Sequence, residues 1–167
     1  MQSNKLFYPS GALYAELGDT KRTYFYEDGT LKTIEPFFDG KLHGEALLYW
    51  PNGNIKRKSH FQHGIREGLD QMWSEEGQLV DEGSYEKGKP IGVHRRWSLA
   101  GDLIEEIGYI DSSRFNFRQW DELGQLRFEG IWADDTYFEK MWDKFQKTWK
   151  EKQGHWDGKK VVYTRAT

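Results

Sequence analysis

The sequence predicts a mainly β protein: an antiparallel β-meander of hairpin repeats, followed by a C-terminal amphipathic helix and a final strand. Three observations carry that expectation. Glycines recur at a near-constant step through most of the chain. The apolar content is concentrated in rings, for hydrophobic residues are only 37% of the 167 while aromatics reach 16%, with 8 Trp, 9 Tyr and 10 Phe. Rings suit strands and recognition surfaces better than a Leu-rich bundle. Glycine at 18 against proline at 4 points to many tight turns rather than to a flexible linker.

The first glycine series follows an aromatic residue and precedes Leu or Ile: YEDGTL (26–31), YWPNGNI (49–55), WSEEGQL (73–79), WSLAGDL (97–103) and WDELGQL (120–126). Its glycines stand at 29, 53, 77, 101 and 124, steps of 24, 24, 24 and 23. A second series lies between them in FFDG (37–40), FQHG (61–64) and YEKG (85–88), and a third follows at Gly44, Gly68 and Gly92. In the next copy Ser112 and Asn116 replace these two glycines, and an irregular first copy reads YPSGAL (8–13). Irregular end copies are what a capped repeat array requires.

Within a copy the anchors Leu31/Phe37, Ile55/Phe61, Leu79/Tyr85, Leu103/Tyr109 and Leu126/Trp132 are six apart, an even number that puts both on one face of a strand. A unit of this length is too short for a parallel crossover and fits two strands and two turns. The expected result is stacked columns of Leu/Ile and of rings, about five hairpin units over residues 8–132.

Residues 135–152, DTYFEKMWDKFQKTWKEK, place Phe138, Met141, Trp142, Phe145 and Trp149 at three- and four-residue steps, with Lys140, Lys144 and Lys147 opposite. That spacing predicts an amphipathic helix, stopped by Gly154, that caps the sheet. HWDGKKVVYT (155–164) then predicts a turn and a terminal strand over 155–165. One domain, 1–167, is expected.

The pattern of aromatic-x-x-Gly-x-Leu followed by Phe/Tyr-x-x-Gly-Lys-x-x-Gly resembles the variant MORN repeat of the bacterial YwqK-like antitoxin group. YEDGTLKTIEPFFDGKLHGEALLYWPNGNI carries the resemblance, and FQHGIREGLDQMWSEEGQL and YEKGKPIGVHRRWSLAGDL repeat it. It covers residues 8–132. The resemblance implies an elongated single-layer antiparallel sheet of MORN-like hairpins. It also implies one of three roles: toxin neutralisation, protein scaffolding, or membrane or phosphoinositide association.

Absence of cysteine excludes a disulfide framework, a thiolate metal site and a cysteine nucleophile. The start lacks a charged segment followed by an apolar one, and the longest apolar run is ALLYW (46–50), so no signal peptide or membrane span is expected and a cytoplasmic location is. Net charge is −3, divided into −8 over residues 1–139 and +5 over 140–167.

His60 and His63 are three apart and face opposite sides of a strand, a poor metal pair. Adjacent Glu75-Glu76, Glu105-Glu106 and Asp134-Asp135 point apart or lie in turns, which suits solvated faces better than acid–base chemistry. Lys56, Arg57, Lys58, Arg95 and Arg96 form a basic set, but the acidic balance of the body outweighs it for nucleic acid. No catalytic residue, metal ligand or cofactor is expected.

The residues expected to bind a partner protein are Tyr49, Gln71, Trp73, Arg95 and Trp97, because Trp, Tyr and Arg dominate interface energetics. In the predicted helix, Lys140, Trp142, Lys144, Phe145 and Trp149 would cap the sheet, contact a membrane surface or dock on a partner. The sequence thus points to a non-enzymatic binding protein of antitoxin or immunity type, its partner a toxin or effector of basic charge. The alternative is a membrane- or phosphoinositide-associated scaffold. An exposed sheet edge leaves the oligomeric state open.

Overall fold

The computed structural model describes residues 4–164. The chain divides into two compact units, residues 1–90 and 91–167. The first contains β1 (Asn4–Phe7), β2 (Leu13–Leu17), β3 (Lys21–Phe25), β4 (Leu31–Phe38), β5 (Lys41–Leu42), β6 (Gly44–Tyr49), β7 (Ile55–Gln62), β8 (Ile65–Trp73) and β9 (Leu79–Glu86). They follow one another antiparallel in the order β1-β2-β3-β4-β6-β7-β8-β9, with β5 against β4 alone.

The boundary falls near the start of β10 (Lys89–Trp97). The second unit continues with β11 (Leu103–Tyr109), β12 (Phe115–Trp120), β13 (Leu126–Ala133), β14 (Thr136–Asp143), β15 (Thr148–Trp156) and β16 (Val161–Thr164), each antiparallel to the one before. The mainly β antiparallel meander read from the glycine spacing is therefore present.

Two kinds of turn alternate. In the first glycine series the chain bends over four residues and widens the next strand by one: the Gly53 amide donates to Trp50 O at 2.9 Å and the Trp50 amide to Asn54 O at 2.8 Å. Gly53 has φ 87°, a left-handed conformation that a Cβ disfavours. In the second series two successive residues take positive φ, as in Asp39 (49°) and Gly40 (69°), the two-residue hairpin turn whose twist matches that of the strands. The third series is not a turn. Gly68 (φ 77°) sits in a bulge of β8, where the register slips between Ser59↔Asp70 and Phe61↔Arg66.

The expected helix over 135–152 is not formed. No helix occurs among the described residues, and this segment is the β14–β15 hairpin, with Trp142 opposite Trp149. Phe138 and Trp142 are four apart, a spacing that lies on one face of a helix and equally on one face of a strand. What decides is the intervening turn: the Asp143 carboxylate accepts from the amides of Phe145 and Gln146 at 2.9 and 3.0 Å, and Lys147 takes φ 54°. Side-chain capping of a turn competes with helical bonding. Within 155–165, where a turn and a terminal strand were expected, Trp156 ends β15, a turn follows and β16 is the terminal strand; Arg165 lies outside the described residues.

A second correction concerns the columns. The anchors six apart, such as Ile55 and Phe61, do not share a face as expected: the register slips between Leu48 and Tyr49 and sets Ile55 against Tyr49, on the face opposite Phe61, because a bulge reverses the alternation. Phe25, Tyr49 and Trp73 end their strands, whereas Tyr26 and Trp50 open the turns and reach to the next copy. The Tyr8 hydroxyl donates to Phe25 O (2.9 Å), the Tyr26 hydroxyl to Tyr49 O (2.8 Å) and Trp50 Nε1 to Trp73 O (3.0 Å).

Packing is by rows of side chains across strands. The only buried apolar side chains among the described residues are small, Ala15 and Ala46. In the first unit the register Ala46↔Ser59↔Asp70↔Gly83 forms one row of small or polar buried residues. Asp70, 3% exposed, breaks the repeat where Ala46 stands one copy earlier. Its carboxylate accepts from Arg57 Nε at 3.0 Å and Ser59 Oγ at 2.6 Å, and Arg66 Nε lies 3.3 Å away. In the second unit Gly130 leaves the space that the Tyr137 ring occupies, for a Cβ there would overlap the phenol.

Two outcomes follow from these contacts. Asp70→Ala leaves two partly exposed guanidinium groups without their carboxylate and lowers stability by about 2–3 kcal/mol, less than the ~3–5 of a fully buried pair, read by urea or thermal unfolding. Lys147→Gly relieves a left-handed side-chain clash and raises stability by about 0.5–1 kcal/mol, whereas Lys147→Val lowers it.

Candidate protein-binding face

Directly opposed residues of antiparallel strands share a face, so the register defines rows. In the first unit one such row runs Lys5, Glu16, Thr23, Ile34, Leu47, Lys58, Gln71, Glu82. Two residues along the strands, Tyr49 and Trp73 stand on the same face as Leu47 and Gln71. The structure thus brings Tyr49, Gln71 and Trp73 to one face, on β6 and β8, with Lys58 of β7 between.

The opposite face carries Phe37, Phe61 and Tyr85, with the Arg22 guanidinium 4.2 Å from the Phe37 ring and that of Arg66 4.7 Å from the Tyr85 ring. Rings therefore occupy both faces, and the expected partner-binding residues lie opposite the Phe61 column rather than on it. Around them, Lys58 Nζ pairs with Glu45 Oε2 at 3.1 Å, His60 Nε2 lies 3.4 Å from the same oxygen, and Gln71 Nε2 donates to Glu82 at 2.7 Å. Ile34 and Leu47 interrupt this row with apolar side chains.

Arg95 and Trp97 take the positions of Gln71 and Trp73 one copy later, in the second unit. There the row is fully charged and alternates in sign: Arg95, Glu106, Arg118, Glu129, Lys140, Glu151. Arg95 pairs with Glu106 at 3.0 Å, Arg118 with Glu106 at 3.3 Å and with Glu129 at 2.8 Å, and Lys140 with Glu129 at 2.8 Å. Lys140 and then Arg118, both donating to Glu129, hold its carboxyl below the ordinary range; the same bond to Glu129 raises Arg118. Glu105, adjacent in sequence to Glu106, faces Arg96 on the other side at 3.5 Å, so the two carboxylates do not act as a pair.

Glu106, Arg118 and Glu129 escape sequence inspection, although the signal exists: charges of alternating sign stand at steps of 11, 12, 11, 11 and 11 residues from Arg95, half the glycine period. Lys140, expected on a helix surface, is a rung of this ladder. Trp142 and Trp149 meet edge-on at 5.6 Å, with Lys140 Nζ 5.4 Å from the Trp149 ring. Lys144 and Phe145 are not part of the face: they occupy the β14–β15 turn, where Phe145 is 86% exposed.

Asp143, bonded to Lys150 and to the turn amides, is held down to about 2 from 3.8. Because the folded-state values of Asp143 and Glu129 lie below their unfolded ones, their stabilisation is complete above the ordinary carboxylate range and lost as pH falls toward 2. Thermal unfolding followed from pH 6 to 2 therefore shows a falling midpoint, and Glu129→Gln with Asp143→Asn flattens that dependence.

The model of the MORN repeat variant matches residues 19–39 and 42–63. Each match spans two strands and the glycine turn between them, β3–β4 and β6–β7. No curated protein matches the chain. The chain is thus similar to MORN repeat proteins over two adjacent copies, and the later strands continue the same strand–turn–strand unit.

Proposed function

We propose that this is a non-enzymatic repeat protein that binds another protein through the first unit's Tyr49, Gln71 and Trp73 face. The observation that carries the reading is that this face sets two aromatic strand ends beside a row whose charges are interrupted by Ile34 and Leu47. A face of rings, short apolar side chains and a few hydrogen-bonding groups is the composition that concentrates binding energy. The MORN-type repeat supports a binding role in general.

The finer form of the proposal is an antitoxin or immunity-type protein of the cytoplasm that neutralises a toxin or effector by covering it. The chain's net charge of −3 favours a basic partner and acts on association rate more than on affinity. The alternative, a membrane- or phosphoinositide-associated scaffold, loses the support of the amphipathic helix and rests on the resemblance alone.

The test is co-purification with the product encoded beside this gene, followed by titration calorimetry. A one-to-one complex is expected, weakened by at least about 30-fold in Tyr49→Ala/Trp73→Ala, on the order of 2 kcal/mol as for an anchor residue. Affinity unchanged in a double variant that keeps its unfolding midpoint would move the site off this face.

A further inference from the structure

The ladder of the second unit has a symmetry that the first unit's row lacks. Its six positions, from Arg95 on β10 to Glu151 on β15, read plus, minus, plus, minus, plus, minus. An even, alternating row is complementary to itself when reversed. We infer that this face is an interface for a second copy of the chain, the two related by a two-fold axis lying in the interface parallel to the strands.

Such an axis reverses the order of the strands but keeps each row at its own level. Arg95 then faces Glu151 of the partner subunit, Glu106 faces Lys140 of the partner subunit, and Arg118 faces Glu129 of the partner subunit. The symmetry supplies the same three contacts again, as an isologous interface requires. The other in-plane axis, along the row, sets every charge against its like. A uniformly acidic or basic partner meets repulsion from half the row, so charge selects an alternating partner, and the chain itself is one.

The neighbouring rows agree. Two residues along the strands on one side, Trp97 meets Trp149 of the partner subunit. On the other side, Gly108 meets Phe138 of the partner subunit, a bare backbone against a ring that is 39% exposed. With strands ~4.8 Å apart the ladder is about 24 Å long, and three rows make a patch of about 500 Å² per copy, below the ~800 Å² of a standard interface. Arg95, Glu106, Arg118, Glu129 and Lys140 already pair within the chain, so these five rungs do not need the other copy to satisfy their charges. The dimer is accordingly a weak one, dissociated by salt.

Sedimentation velocity over a micromolar to millimolar series tests this in the full chain. The wild type dimerises. Arg95→Glu/Glu106→Arg and Lys140→Glu/Glu151→Lys each reverse one rung pair; each sets four like-charge contacts across its own dimer and weakens it at least tenfold. Mixed in equal amounts, the two variants face each other with every contact opposite in sign, and the mixture recovers the wild-type affinity. Circular dichroism and the unfolding midpoint confirm that each variant folds.

Gly108→Arg gives an independent check, because a Cβ there meets only Asn116 Cβ at 3.8 Å and the backbone is not left-handed; it blocks the approach of the partner's Phe138 without touching a rung. A wild type that stays monomeric at millimolar concentration, a mixture of folded variants that stays monomeric, or a folded Gly108→Arg that dimerises normally overturns the proposal. None of these changes touches Tyr49 or Trp73, so the result is independent of the first unit's binding role.

Discussion

A single-layer sheet has no interior, and this constraint governs how the chain is held together. A side chain on either face can be covered only by its neighbours in the same sheet, which makes the cross-strand row the unit of stability. The consequence is visible in what is buried: Ala15, Ala46, Ser59 and Asp70 rather than any large apolar residue. Large side chains lie half exposed along the faces, each shielded by a ring, an aliphatic stem or a guanidinium from the next strand. Arg66 over Tyr85 and Arg22 over Phe37 are instances, in which a charged head stays in water while its body covers apolar surface.

Ionic rows are one way to satisfy this constraint, and the two units use it differently. Opposite charges on adjacent strands attract and also lay their methylene stems side by side, so a ladder of six stabilises a face without apolar content. The second unit does this throughout. The first replaces several rungs with Thr23, Ile34, Leu47 and Gln71 and adds the buried carboxylate of Asp70 on the other face. Asp70 fixes the pairing of β7 with β8 where the β8 bulge would otherwise loosen it, because Arg57 and Ser59 reach the carboxylate only in that register.

Most of the fold was legible because glycine suits positions of positive φ, and such positions recur three times in each regular copy. The β14–β15 hairpin was hidden for the same reason in reverse: Lys147 takes the left-handed position without being glycine, so the turn left no mark. Phe138, Trp142 and Trp149 could then be read with helical spacing. Asn116 shows a milder case. It stands where earlier copies have glycine, and its side-chain oxygen accepts from the Trp132 amide at 2.9 Å, so a hydrogen bond serves where backbone freedom served before. The site was half legible: Tyr49, Gln71 and Trp73 do share a face, but the rungs that pair with Arg95 come from positions set by register, which composition does not reveal.

The bonds from Tyr8, Tyr26 and Trp50 to the strand ends of the following copy all run the same way along the chain. Each donor is placed by its own turn, and each acceptor carbonyl by the next. A duplication or loss of one whole copy leaves such a series intact, since the new neighbours present the same donor and acceptor. A change of a few residues displaces the acceptor and also inverts the faces of every strand beyond it when the number is odd. The first unit can therefore change length readily only in whole copies, which lets its faces be lengthened without being redesigned.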